Sequence, residues 1–280
     1  MTGVNPSQTT RTFLIILVSL LLPLFPSDAS ASEQFVQYED ARFQIDIGRQ
    51  ITKFDSNLFL KSQSGPGALF LDLESDLGLT SENSAGYFKG SYRFAERHKI
   101  ALQYFQNDRK STKVLDREIE IGDSIWEIDA VLNTTAEAQI SELTYEYSII
   151  RDGNLELSIL GGFYWLEFAT TFEGIANGSD FLTEKTSFQG PLPVLGMDLS
   201  YSAGSRWTLR YLSEVFAVSF GNYSGRLNNH RLSAEFLVWK NFGLGLALNQ
   251  LLLSAEVDDD VVGEIGIENR GTVLYLVGRF

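Results

Sequence analysis

Two histidines, His98 and His230, are the side chains best suited to activating a nucleophile near neutral pH, and the sequence contains no cysteine. A hydrolytic site would set one of them beside a serine, with an acid or amide to orient the imidazole. His98 falls in the short turn signal Ala95-Glu96-Arg97-His98, away from such a set. Ser233 is three residues from His230, so alternation along a strand puts the two on opposite faces. Ser213 or Glu214 on a neighbouring strand could still meet His230. The sequence shows no Cys/His metal set, phosphate-cradling glycine loop or nucleophile elbow. The expectation is therefore a rim or outward histidine in a protein that is not an enzyme, with no catalytic, cofactor-binding or metal residue assigned.

Oxygen ligands for Ca²⁺ or Mg²⁺ exist in Glu256-Val257-Asp258-Asp259-Asp260 and in Asp72, Glu74 and Asp76. Their spacing does not match an EF-hand, and a solvated acidic loop is the expectation. The net charge of -14 argues against nucleic acid, for which a basic stripe is required.

What positions these residues is a period of two. Phe43, Ile45 and Ile47 oppose Gln44, Asp46 and Gly48. Leu143, Tyr145, Tyr147 and Ile149 oppose Glu142, Thr144, Glu146 and Ser148. Leu232, Ala234, Phe236 and Val238 oppose Arg231, Ser233 and Glu235. No helical period of comparable length occurs beyond the first 31 residues. Tight turns at 95–98, 151–154, 203–206 and 239–242 alternate with long polar excursions, the connector asymmetry of a membrane barrel. Bulky residues, with Phe94, Tyr147, Tyr201, Trp207 and Trp239 near the tight turns, form an apolar face with an aromatic girdle.

With both ends on one side of the membrane, four tight turns give ten strands. The excursions at 52–85 and 110–138 contain strand-like stretches. If one is a further membrane pair the count becomes twelve, and if one turn is misread it becomes eight. The mean hydropathy of -0.04 does not separate a membrane barrel from a soluble protein, because lumen and loops are polar.

The first 31 residues read as a cleaved leader. One basic residue precedes the apolar run from Thr12 to Phe25, and Ala29-Ser30-Ala31 is a small-x-small cleavage signal. The run is short for a membrane helix and is punctuated by Pro23 and Pro26. Export through the periplasm and a barrel domain over 32–280 follow. The absence of cysteine excludes a lipoprotein anchor and a disulfide framework.

The last stretch, Asn269 to Phe280, alternates and ends on an aromatic residue. It resembles the closing strand of bacterial outer-membrane β-barrels, and the resemblance implies that Tyr275 and Phe280 carry the signal read by the barrel-insertion machinery. Asp72 to Leu79, Tyr92 to His98 and Pro191 to Gly196 are similar to stretches of the OmpA/OmpW-like superfamily of small outer-membrane barrels. That likeness implies location and architecture, with outer-membrane lipid and lipopolysaccharide as surroundings, and no activity.

The expected fold is thus an all-β, transmembrane, antiparallel up-and-down barrel. Its bulky face meets lipid. Its lumen holds Asp46, Lys89, Arg93, Lys99, Glu142, Glu146, Glu156, Asp198, Arg210, Glu214, Arg231 and Glu235. Charges in a narrow barrel must be paired or hydrated, since isolating one costs several kcal/mol. The expected role is structural or surface-interactive, with a charge-filled lumen. The alternatives are a narrow channel for small or hydrophobic solutes and, behind it, an outer-membrane hydrolase. Oligomeric state is not legible.

Overall fold

The computed structural model describes residues 35–62, 68–121, 124–176, 180–220, 223–258 and 261–280. The expected leader over the first 31 residues, with Ala29 and Ala31, lies outside the described residues, as do Asp259 and Asp260. The strands are β1 (Phe43–Ser62), β2 (Ala68–Asp72), β3 (Glu82–Ala95), β4 (His98–Val114), β5 (Ile119–Ile121), β6 (Ser124–Trp126), β7 (Val131–Asp152), β8 (Leu155–Ala176), β9 (Asp180–Ala203), β10 (Trp207–Phe220), β11 (Tyr223–Leu237), β12 (Phe242–Asp258) and β13 (Val261–Arg279).

Ten of them (β1, β3, β4 and β7 to β13) pair antiparallel with their sequence neighbours. β13 then pairs with β1 from Arg279↔Gln44 to Val261↔Ser62, which closes the barrel. Closure leaves no sheet edge, and every membrane-level backbone group finds a partner inside the wall. The two long excursions add no membrane pair. β2 is an antiparallel extension folded against the far end of β1, and β5–β6 is a separate small hairpin.

Tight turns close the end that also holds Phe43 and Phe280. Two of them need a left-handed residue and have glycine there: Gly153 at φ 53° and Gly204 at φ 68°. By the short-turn rule this end is periplasmic.

The strands outrun a bilayer. β8 has 22 residues. At about 3.3 Å per residue and a tilt of about 40°, such a strand rises roughly 55 Å, against an apolar band of about 25 Å. The register shows where the band stops. Leu102, Leu143, Phe163 and Pro193 form one outward row, and Tyr104, Ser141, Trp165 and Pro191 form the next. The row above is Gln106, Gln139, Glu167 and Gln189, and outward side chains then stay polar, Ala169 apart, for three more rows. Across the barrel, Trp207, Phe236, Leu244 and Leu276 lie in the apolar band, while Ser213, His230, Gln250 and Arg270 lie above it.

Above the band the polarity of the wall reverses. Leu132, Ala136 and Phe172 point inward and bury Leu71, Leu73, Leu77, Leu115, Ile119 and Trp126 of the two excursions. A second inward cluster begins at the height of the uppermost apolar rows, with Tyr164 and Val194, and continues through Leu227 and Leu251, with Phe216 and Leu253 against it. The extracellular half is thus built like a soluble barrel on top of a membrane one.

Candidate functional site

The membrane-level lumen is the densest concentration of chemistry in the molecule. Every charged residue expected there is buried: Asp46, Lys89, Arg93, Lys99, Glu142, Glu146, Glu156, Asp198, Arg210, Glu214, Arg231 and Glu235. They fall into two tiers.

The tier nearer the tight turns consists of direct ion pairs. Arg93 Nη2 donates to both carboxylate oxygens of Glu156 at 2.8 Å, and the Ser148 hydroxyl donates to the same carboxylate. Lys99 Nζ lies 2.7 Å from Glu146. Arg210 Nε donates to Asp198 at 2.8 and 2.7 Å, its Nη2 also pairs with Asp198, and Glu146 stands 3.7 Å away. Arg279 pairs with Glu235, donates to Thr208 Oγ1 at 3.0 Å, and shares Glu235 with the Tyr275 hydroxyl at 2.9 Å.

Tyr38, just before β1, is seated in the middle of this tier. Its hydroxyl accepts a bond from Lys99 Nζ at 2.5 Å, and its ring faces Lys99, Arg210 and Arg279 at 4.7, 5.1 and 5.7 Å. Burial pushes the phenol above its ordinary pKa, so the ring meets three cations as a neutral π face. Neighbouring contacts fix the segment. Ser202 donates to Glu39 at 2.8 Å, Arg151 donates to the Glu39 carbonyl at 2.7 Å, and Val36 N donates to Lys240 O at 3.0 Å.

The second tier lies one step further from the turns and is wired differently. Asp46, Lys89, Gln103, Glu142 and Tyr164 stand opposite one another on successive strands. Arg231 donates to neutral groups: Gln103 at 2.6 Å, the Tyr87 hydroxyl at 2.9 Å and Asn249 at 3.2 Å. Glu214 accepts from Tyr164 at 2.5 Å and from Asn229 at 2.8 Å, both on Oε2. Among the described residues, none of Asp46, Lys89, Glu142, Glu214 and Arg231 has an opposite charge within 4.0 Å. Between the tiers a cavity of about 10 Å³, bounded by Asp46, Lys89, Arg210, Arg231 and Glu235, has room for one water. Two larger concavities have mixed linings: one of about 600 Å³ is bordered by Asp55, Arg226 and Glu268 together with Phe216, Leu227 and Leu253, and one of about 490 Å³ by Ile47, Phe88 and Tyr104 together with buried Tyr87 and Asn107.

The histidines lie on the outer wall. His98 Nδ1 is 2.6 Å from the Tyr145 hydroxyl within an aromatic group of Phe94, Tyr145 and Tyr147. His230 is opposite Ser213, as one reading required, but its ring stacks on Tyr211 with Nδ1 2.9 Å from that hydroxyl, and Glu214 faces the other side of the wall. The acids Asp72, Glu74 and Asp76 are engaged in fixing a turn. Asp72 accepts from Glu74 N and Ser75 N, Asp76 pairs with Arg117 at 2.7 Å, and Glu74 pairs with Arg109 at 2.5 Å. Among the described residues no three of His, Cys, Asp and Glu are arranged to hold a metal.

Of the proposed insertion residues, Tyr275 faces the lumen and bonds Glu235, while Phe280 is outward, its ring against Phe242. Sequence reasoning missed Arg279, Tyr38 and the phenols of Tyr87 and Tyr164. Tyr87 and Tyr164 carried the signal of sharing a strand face with lumen charges, and Arg279 that of sharing one with Tyr275, whereas Tyr38 lies outside any periodic segment.

No protein-family model and no curated protein matches the chain. Among solved structures it is similar to the outer membrane protease OmpT from Escherichia coli, with 11% identity over 85% of this chain and 97% of that one at a TM-score of 0.47. It is also similar to the translocator domain of the autotransporter NalP from Neisseria meningitidis (10% identity, 98% of each chain, TM-score 0.44). A third is the outer membrane protein OprG from Pseudomonas aeruginosa (10%, 88% of this chain and 99% of that one, TM-score 0.41). The closed sheet, apolar outside and charged within at membrane level, gives this chain the architecture of a small outer-membrane β-barrel.

Proposed function

We propose that this chain is an outer-membrane barrel that seals its own lumen and acts through its extracellular wall. The observation that carries this reading is the tier of direct ion pairs with Tyr38 seated among their cations. A layer in which every guanidinium and ammonium already holds a carboxylate, beside a cavity sized for one water, supports a lumen closed to bulk water. The apolar clusters above it add a second obstruction.

The wall beyond the bilayer supports a surface-interactive role. Val114 and Val131 pair across β4 and β7, and Ile175 and Phe181 pair across β8 and β9. All four are exposed, Phe181 to 67%, and four polar rows separate them from the lipid band. Apolar side chains held in water on a rigid rim suit contact with another macromolecule. Lipid and lipopolysaccharide surround the band below, and outward Phe280 is the residue presented to the insertion machinery.

Purified protein reconstituted in planar bilayers tests the reading. Stable insertion without steady current is the expected result. Sustained open-state conductance would reverse the order in favour of a narrow channel.

A further inference from the structure

We infer that the second lumen tier binds one small, hard monovalent cation of the sodium class, held by the carboxylates of Glu142 and Glu214 and the carboxamide oxygen of Asn229. The first argument is coordination. Glu142 and Glu214 are 3% and 0% exposed, and each keeps one carboxylate oxygen without a hydrogen-bond partner, Oε2 and Oε1 respectively. Asn229 spends its amide nitrogen on Tyr164 and on Glu214 Oε2, which leaves its buried Oδ1 unpartnered beside the same carboxylate. Three unpartnered acceptors in one buried layer are costly unless something positive meets them, since an orphaned charged acceptor loses its full solvation. Oxygen donors of this kind suit hard cations.

The placement is specific. Tyr164 stands opposite Glu142 on the adjacent strand and donates to Glu214, so it ties the two carboxylates to one neighbourhood. Lys89 and Arg231 belong to the same layer, but among the described residues neither comes within 4.0 Å of a carboxylate.

The second argument is charge balance. In the tier nearer the turns four acids (Glu156, Glu146, Asp198, Glu235) meet four bases (Arg93, Lys99, Arg210, Arg279). In the second tier Asp46, Glu142 and Glu214 meet only Lys89 and Arg231, an excess of one negative charge when all five groups are ionised. One monovalent cation closes that gap, whereas a divalent ion would overshoot it.

The test is the equilibrium unfolding midpoint of the detergent-folded mature chain. NaCl is exchanged for N-methylglucamine chloride at constant ionic strength and fixed pH, and the series is repeated at lower pH. The expected result is a midpoint that rises with the logarithm of the sodium concentration at neutral pH, as linkage requires of a ligand bound only by the folded state. The sodium-dependent increment disappears in Glu214→Gln and in Glu142→Gln. Identical wild-type midpoints in the two salts would overturn the proposal, and this readout needs no variant to fold. Acid stabilisation without any sodium dependence would also overturn it, showing that the two carboxyls share a proton instead. So would an increment kept in full by both glutamine variants.

Discussion

Arg210→Met is the substitution that most directly tests whether the lumen is held together by ion pairs. Arg210 is buried, holds Asp198 through Nε at 2.8 and 2.7 Å with a further Nη2 contact, and stands 3.7 Å from Glu146. Methionine keeps much of the stem and removes the charge. Glu146 retains Lys99 at 2.7 Å, so the group left stranded is Asp198. Breaking a buried pair by deleting one partner costs about 3–5 kcal/mol, because the remaining charge stays desolvated. The loss should be recovered in Arg210→Met/Asp198→Leu, which replaces the pair by apolar groups of similar bulk. Such replacements are often neutral or stabilising by about 1–4 kcal/mol. Urea unfolding in detergent, followed by tryptophan fluorescence and by heat-modifiable migration, gives the free energies for the full double-mutant cycle. A single-variant loss below about 1 kcal/mol, or a double variant as unstable as the two singles summed, would refute the ion-pair account.

Four further outcomes follow from other parts of the wall. A Cβ built on Gly245 falls 2.2 Å from Tyr275 Cζ, so Gly245→Ala must swing that ring off Glu235 and should cost about 1–3 kcal/mol. Gly86→Ala, which meets nothing within 4 Å, should leave the same urea midpoint unchanged or slightly raised. Leu195, 70% exposed in the lipid band, should lose about 2–4 kcal/mol as arginine, whereas Thr171→Arg on the polar rows should be tolerated; equal effects at both sites would move the band. Arg109→Met removes the partner of Glu74, which also accepts from Ser56 N at 2.8 Å. Hydrogen exchange should then quicken over 71–79 and 115–121, with the membrane-level strands unaffected.

Much of this architecture was legible because a strand alternates with a fixed period. Once Glu142 and Glu146 were seen to share a face, Tyr145 and Leu143 had to share the other, and the four tight turns set the strand number. Pairings across the lumen were not legible. Arg93 and Glu156 are 63 residues apart, and their meeting depends on the curvature and stagger of the closed sheet, which no local pattern encodes. Arg279 shared a face with Tyr275 but went unassigned because the closing strand was read for its outward aromatic. Tyr38 had no periodicity to reveal it. The rule that bulky residues face outward also stops at the row of Tyr104 and Trp165: Phe172, Leu227 and Leu251 face inward.

That inversion shows how one chain obeys two solvents. At membrane level the outward apolar side chains need no protein partner, since lipid already covers them, and the lumen is free to be polar provided its charges find one another. Above the band the same outer face meets water, so burial must come from inside, and the excursions fold over the mouth to supply it. Inward Leu160 and Leu212 are accommodated at membrane level beside Glu146, Asp198 and Arg231, whereas an inward Glu above the band would be stranded without a cation. Arg109 is the exception that fits the rule: it sits at the base of the cap, its guanidinium over the Phe54 ring at 4.4 Å, and holds Glu74 of the first excursion. The interior is therefore charge-rich at membrane level, with Leu237, Val273 and Val277 packed beside the ion pairs, and gains its larger apolar clusters where the exterior passes from lipid to water, so the balance in each half of the lumen follows what lies on the other side of its wall.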